Sequence, residues 1–220
     1  MRELNRYIDH TLLKPLATTE DIVALCDEAK KYNFHAVCVN SCYVYLAANT
    51  LKKTDVKVAA TIGFPLGAAS TKAKIAEAKR AIKDGADEID MVINLGWLRS
   101  GLVKSVREEI SAVKKAIGRR PLKVIIETCY LSNLEKKLAC EIIKKAGGDF
   151  VKTSTGFGEG GAEINDILLI KACVDNGTQI KASGGIKTVE DAEAFIKAGA
   201  DRLGTSSGVQ LMLSSKEKKP

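Results

Sequence analysis

Two lysines stand in matching settings 29 residues apart, Val151-Lys152-Thr153-Ser154-Thr155-Gly156 and Ile180-Lys181-Ala182-Ser183-Gly184-Gly185. Each follows a short apolar run and precedes a loop of small residues, the pattern that sets an ammonium at the mouth of a buried strand. Two ammoniums in one dry pocket repel each other, which favours loss of a proton from one of them. The uncharged amine that results is a nucleophile toward carbonyl carbon.

The chain repeats the elements that place these lysines. Lys83-Asp84-Gly85-Ala86-Asp87-Glu88-Ile89-Asp90, Lys145-Ala146-Gly147-Gly148-Asp149-Phe150-Val151-Lys152 and Lys197-Ala198-Gly199-Ala200-Asp201-Arg202-Leu203-Gly204 share one plan. A helix-like stretch stops at Gly, the chain turns on Asp, and a short strand begins. Weaker copies run from Asn33 to Cys38 and from Asn176 to Lys181. His35 and Asp87 lie 52 residues apart, as do Asp149 and Asp201. Two strand–helix units in that interval give about 26 residues each, typical of units joined by short loops.

Eight such units need roughly 208 residues, close to the whole chain, and predict a single (β/α)8 TIM barrel spanning residues 1–220. The strands are expected at Tyr7–His10, Ala36–Val39, Lys57–Ile62, Glu88–Val92, Lys123–Glu127, Phe150–Lys152, Gln179–Ala182 and Arg202–Gly204. Helical stretches fall between them: Thr18 to Lys31, Ser70 to Lys83, Val103 to Ile117, Asn133 to Lys145, Glu163 to Val174 and Val189 to Lys197. The first opens on a capping-box-like Thr18-Thr19-Glu20-Asp21 and keeps Ile22, Leu25, Cys26 and Ala29 on one face. An open doubly wound sheet is the rival, but its Gly-rich fingerprint after the first strand is missing.

Aligning the repeat copies sorts the strand residues into two columns. Val37, Ile89, Val151, Ile180 and Leu203 form an aliphatic column expected to face the helices. Cys38, Asp90, Lys152, Lys181 and Gly204 form the next, which alternation turns into the barrel at the carboxyl ends of the strands. That is where barrel enzymes keep their chemistry. A satisfied ion cluster, Asp90 between two ammoniums, would give the same pattern. Three charges converging on one mouth argue for function, because buried charge is costly unless paired and perturbed groups gather at sites.

The loops point to an anionic substrate. Ser183-Gly184-Gly185-Ile186 and Gly204-Thr205-Ser206-Ser207-Gly208 follow the seventh and eighth strands, and the second opens a short last helix. Bare backbone N–H groups at such a place make the usual barrel phosphate site. Gly156-Phe157-Gly158-Glu159-Gly160-Gly161 reads either as a flap over the mouth or as a plain loop. Asp9, beside His10 and Thr11, either binds substrate hydroxyls or anchors its loop. Glu127 is expected to pair with a lysine, and Trp97 to serve packing or a subunit contact rather than stacking on substrate.

Composition narrows the classes. Six cysteines without CxxC spacing and only two histidines make a zinc cluster improbable, and no metal is expected. Reduced core thiols and the lack of an apolar stretch behind Met1-Arg2-Glu3-Leu4-Asn5-Arg6 suggest a cytoplasmic protein. No run approaches a membrane span. The net charge of +7 is spread along helices and mixed with acids, with aromatics at 5%, so neither nucleic acid nor membrane is an expected partner. The residues alone leave three classes open: a lysine aldolase, a phosphate-barrel isomerase or synthase without covalent chemistry, and a non-catalytic phosphosugar-binding protein.

Taken together, Ile8-Asp9-His10-Thr11-Leu12-Leu13, Ala36-Val37-Cys38-Val39, Thr61-Ile62-Gly63-Phe64-Pro65, Glu88-Ile89-Asp90-Met91-Val92, the two lysine segments and Arg202-Leu203-Gly204-Thr205-Ser206-Ser207 closely resemble the deoxyribose-phosphate aldolase family over essentially the full length. The resemblance implies a class I aldolase with no cofactor, acting on a small phosphosugar and assembling as a homodimer or homotetramer. It implies Lys152 as the Schiff-base nucleophile, Lys181 as the neighbour that lowers its basicity, and Asp90 as the proton relay. Cys38 would lie beside the substrate, and Asp9 and Thr153 would meet its hydroxyls. Gly156, Gly184, Gly185, Gly204, Ser206 and Ser207 would hold the phosphate. Some members carry lysine where this chain has Phe157, so no phosphate contact is expected there.

Overall fold

Eight parallel strands close on themselves in chain order: β1 (Ile8–Leu12), β2 (Ala36–Asn40), β3 (Lys57–Ile62), β4 (Glu88–Val92), β5 (Leu122–Ile125), β6 (Phe150–Lys152), β7 (Gln179–Ser183) and β8 (Arg202–Thr205), with β8 pairing back onto β1. Helices α1 (Thr19–Tyr32), α2 (Val44–Thr50), α3 (Thr71–Lys83), α4 (Leu95–Arg99), α5 (Val103–Ile117), α6 (Asn133–Ala146), α7 (Ile164–Cys173), α8 (Val189–Ala198) and α9 (Gly208–Glu217) fill the connections. This is the (β/α)8 architecture that the repeat predicts. The computed structural model describes residues 3–174 and 177–217, with side chains to 215. Asn176, where one weak repeat copy begins, and residues 218–220 of the tail lie outside them.

The recurring Gly–Asp turn explains the barrel's register. Gly85, Gly147 and Gly199 take positive φ of 109°, 81° and 119° and end their helices, a backbone region that suits Gly. Two residues later, Asp87, Asp149 and Asp201 each clamp the start of the preceding strand. Their Oδ2 atoms accept from the N–H of Val58 (2.9 Å), Leu122 (2.7 Å) and Ile180 (2.9 Å). Their own N–H groups donate to the carbonyls of the same three residues at 2.8 to 2.9 Å. A strand entered through a two-point clamp cannot slip by one residue, and a one-residue slip would turn every inward side chain outward.

Helix starts are equally local. Thr18, Ser132 and Thr188 cap α1, α6 and α8 in reciprocal boxes with Asp21, Glu135 and Asp191. Helix α1 buries Ile22, Leu25, Cys26 and Ala29, the face its periodicity predicts. The aliphatic column of Val37, Ile89, Val151, Ile180 and Leu203 sits in the large apolar layer between barrel and helices. Cys38 instead packs inside with Leu13, Ala59 and Phe64.

Two strands shift by more than one residue from the sequence reading, and two helices lie outside it. A 3-10 turn over Leu4–Tyr7 displaces the first strand toward its C-terminus. Strand β5 ends at Ile125, because Glu127 takes a left-handed φ of 49° and stops the pairing. Helices α2 and α4 are too short to show a periodicity.

A buried ion pair in the helix layer braces the strand that carries Asp90. Lys74 of α3 donates to Glu109 of α5 and to the Val92 carbonyl at the end of β4, both at 2.8 Å. Gly63 makes room for it, since a Cβ there would meet Lys74 Cε at 2.8 Å. Breaking a buried pair leaves an uncompensated charge, so Glu109→Leu is expected to cost about 3–5 kcal/mol in urea denaturation. A loss below about 1 kcal/mol would remove the pair from the list of structural supports.

Candidate active site

Alternation along the strands delivers the charged column to the barrel axis, and the register sets who meets whom. Lys152 pairs with Lys181 across β6 and β7, and Asp90 with Lys123 across β4 and β5. Asp90 Oδ2 accepts from Lys152 Nζ and from Lys181 Nζ, each at 2.8 Å. The two nitrogens are therefore at most twice that distance apart and share one carboxylate oxygen. Asp90 Oδ1 accepts from Lys123 Nζ at 2.7 Å.

A lower layer continues the network. Lys181 meets Asp9 Oδ2 at 2.5 Å, and Lys123 meets Glu88 Oε2 at 2.5 Å. Arg202 binds both acids: its Nε donates to Asp9 Oδ1 at 2.8 Å and its Nη2 to Glu88 Oε2 at 3.0 Å, with a second short contact from Nη2 to Asp9. The Phe150 ring lies 5.9 Å from Lys123 Nζ and 6.0 Å from Arg202 Cζ, so its π face borders two of the cations. Apolar residues normally fill these layers of a barrel. Here four basic side chains and three carboxylates do so.

Burial opposes the charge on Asp90, but Lys123, Lys152 and Lys181 outweigh it and hold the carboxyl well below its ordinary value. Asp9 is lowered in the same way, burial opposing and Arg202, Lys181 and Lys123 prevailing. Glu88 is lowered against burial by Lys123, His35 and Arg202. The reverse holds for the bases. Burial lowers Lys181 and Lys123, while Asp9 and Asp90 for the first, and Asp90 and Glu88 for the second, push them up by more. The stability that the carboxylates confer is complete above the unfolded values of 3.8 and 4.5 and is lost as pH falls through their lower folded values. That from the two lysines is complete below 10.5 and is lost as pH rises through their raised folded values. Burial, with Asp90 beside it, keeps the Cys38 thiol raised and therefore protonated, 3.9 Å from Asp90 Oδ2.

Above this floor lies a cavity of about 380 Å³, within the range of small-molecule sites. Of the charged cluster, Lys152 alone lines it, and it is 3% exposed. Gly156, Gly184, Gly185, Gly204, Ser206 and Ser207 all line it. A Cβ at Gly204, in the inward column, would come within 3.0 Å of Ser183 Cβ and 3.1 Å of Lys181 Cε. Of the N–H groups at the start of α9, that of Ser207 is not bare, since it donates to Thr205 Oγ1 at 2.9 Å.

The other expected site residues sit below or behind the cavity. Asp90, Lys181, Cys38 and Asp9 are fully buried under Lys152. Asp9 thus belongs to the charge network and does not anchor its loop. Thr153 Oγ1 both donates to the Ser183 carbonyl and accepts from its N–H at 3.1 Å, tying β6 to β7. Among the described residues, Glu127 pairs with no lysine. It accepts from the Thr155 N–H at 3.1 Å and from the Thr155 hydroxyl, and so holds the start of the 156–161 loop. That loop returns through an Ala162 N–H bond to the Gly184 carbonyl at 3.0 Å. Phe157 lines the cavity and meets Phe64 edge-on, ring centres 5.4 Å apart. Trp97 is half-buried against the helix layer.

Sequence reasoning missed Lys123, Glu88 and Arg202, and the exposed lysines Lys14 and Lys187 at the cavity rim. The signal for Lys123 was a charge inside the apolar run Leu122-Lys123-Val124-Ile125. The signal for Glu88 and Arg202 was their place two residues before Asp90 and Gly204, on the same strand face. Among the described residues, no three His, Cys, Asp or Glu side chains come together as a metal site, and no helix is long and apolar enough to cross a membrane.

Residues 5–213 match the sequence family described as DeoC/LacD family aldolase. Similar proteins include the deoxyribose-phosphate aldolase of Finegoldia magna, 56% identical over 96% of this chain and 99% of that one. That of Thermococcus kodakarensis is 56% identical over 96% of each. Among solved structures, the aldolase QR15 superposes with a TM-score of 0.95 at 40% identity over 99% and 98% of the two chains. The tetrameric deoxyribose phosphate aldolase of Aeropyrum pernix does so with 0.88 at 35% over 97% and 91%.

Three lysines on one carboxylate have a direct readout. The Asp90 carboxyl ¹³C resonance is expected to stay fixed from pH 8 down to its ordinary midpoint of 3.8. A titration midpoint at or above 3.8 would contradict the depression that the three lysines impose.

Proposed function

The chain belongs to the DeoC/LacD family of aldolases, and on that premise we propose that it reversibly cleaves 2-deoxy-D-ribose 5-phosphate to D-glyceraldehyde 3-phosphate and acetaldehyde through a Schiff base on Lys152. The carrying observation is that Lys152 is the one member of the charge cluster that opens on the cavity, with Asp90 and Lys181 directly behind it. The names of the relatives support the substrate.

In the reaction, the uncharged Lys152 amine adds to the aldehyde carbon of the open-chain sugar. Loss of water gives an iminium, a stronger electron sink than the aldehyde, so no cofactor is required. Removal of the proton from the C3 hydroxyl breaks the C2–C3 bond, and the electron pair moves into the iminium to give an enamine. Glyceraldehyde 3-phosphate leaves. Protonation of the enamine carbon and hydrolysis then release acetaldehyde and the free amine. Asp90 and Lys181, with water, carry these protons: the carboxylate oxygen touching both amines can take a proton from one and return it to the other. Such acid–base help contributes about 10²–10⁴-fold.

The phosphate would lie between the Gly184-Gly185 and Gly204 to Ser207 loops, at the positive end of α9. Gly184 and Gly185 adopt φ of 87° and 81°, which brings bare backbone close to the ligand. With Phe157 at the flap, Lys187 supplies a cation at this rim. The same reading has the chain working as one domain, in the cytoplasm, as a dimer or tetramer. The six free cysteines and the tetrameric Aeropyrum pernix relative support it.

A coupled assay is expected to detect glyceraldehyde 3-phosphate from deoxyribose 5-phosphate. Borohydride with acetaldehyde should label the peptide that contains Lys152; a label elsewhere removes Lys152 as nucleophile. Lys181→Leu is expected to fold and to lose at least about 100-fold in turnover, and near-normal turnover would exclude it from the chemistry. Lys187→Ser should raise KM for the phosphorylated sugar while sparing kcat/KM for free deoxyribose; an equal loss on both would place Lys187 outside phosphate binding.

A further inference from the structure

The charge cluster contains a cation that has no place in the bond-making steps. Lys123 is fully buried, lies off the cavity, and bridges Asp90 Oδ1 at 2.7 Å and Glu88 Oε2 at 2.5 Å. We propose that Lys123 is a positioning residue that keeps Lys152 uncharged by taking over, with Lys181, the counter-charge of Asp90. This rests on the Schiff-base reading above and extends it to the residue that sets the nucleophile's protonation.

The argument is one of charge balance in a dry space. The titratable groups linked to Lys152 through this network come from six of the other strands. Asp90 and Glu88 stand on β4, Lys123 on β5, Lys181 on β7, Arg202 on β8, Asp9 on β1 and the protonated Cys38 on β2, with His35 3.5 Å from Glu88. Three carboxylates face four basic side chains. Arg202 and Lys181 share Asp9, Arg202 and Lys123 share Glu88, and Lys123 and Lys181 share Asp90. Each carboxylate therefore already has at least two cations without Lys152, and the cluster is neutral when Lys152 carries no proton. Among the described residues, the one ion pair of Lys152 is with Asp90, on an oxygen it shares with Lys181.

Two lysines alone would not produce this. With Lys123 absent, three carboxylates would face Arg202 and Lys181 only. A charged Lys152 would then restore balance and be held as an ammonium, inactive toward a carbonyl. Lys123 thus does at a distance what the like-charged neighbour Lys181 does by contact.

The test reads the acid limb of two pH profiles, that of kcat/KM and that of the rate of reductive trapping with acetaldehyde. Lys123→Met should move both acid limbs up by about one pH unit. Glu88→Gln removes a negative charge without touching Lys152 and should move them down. A purely structural role for Lys123 would lower rates at all pH values and leave the midpoints in place. Midpoints unchanged in both variants, or moved in the opposite sense, overturn the proposal. Should Lys123→Met fail to fold, the sign of the Glu88→Gln shift decides. Failure of the native chain to be trapped at Lys152 would instead remove the Schiff-base reading itself; trapping at Lys152 with unmoved midpoints removes only the role given to Lys123.

Discussion

One carboxylate organises this barrel. Asp90 accepts from three lysine side chains in a fully buried space, and each donor comes from a different strand. Left unpaired, any of these charges would be expelled or neutralised, since removing a single buried charge from water costs several kcal/mol after relaxation. Held together, they fix one another's protonation and geometry. The network reaches through Lys181 to Asp9, through Lys123 to Glu88, and closes on Arg202. Its single outlet to the cavity is Lys152.

Such a cluster tolerates no looseness in its frame. A strand slipped by one residue would replace a buried charge by an aliphatic side chain and drive the charge into the apolar helix layer. The Gly–Asp turns prevent this at β3, β5 and β7, where Asp87, Asp149 and Asp201 hold the strand starts by side chain and backbone together. Lys74 and Glu109 brace the far end of β4. The stability devices lie at the strand starts and in the helix layer, while the chemistry opens at the carboxyl ends. The loops at that end are left to shape the ligand cavity.

Much of this was legible because the chain repeats itself. The copies ending at Asp90, Lys152, Lys181 and Gly204 align residue for residue, so period-two alternation was enough to send those side chains inward. Lys123 escaped the alignment because its strand is entered through Gly118-Arg119-Arg120-Pro121, which lacks the Gly–Asp plan. Glu127 was misread because nothing local announces its left-handed backbone, which lifts it off the strand and toward Thr155. Asp9 remained ambiguous for a related reason. Its partners, Arg202 and Lys181, are more than 170 residues away in the chain.

The sequence by itself determined the barrel, the inward column with its two lysines and one aspartate, and the glycine- and serine-rich loops at the mouth. Each follows from local rules: turn residues, strand alternation and repeat length. Only the tertiary structure decided which charges share a counterion, which amine faces the cavity, and how many cations stand against how many carboxylates. Those are properties of distances across a closed sheet, and closure of β8 onto β1 brings together residues that no local pattern connects.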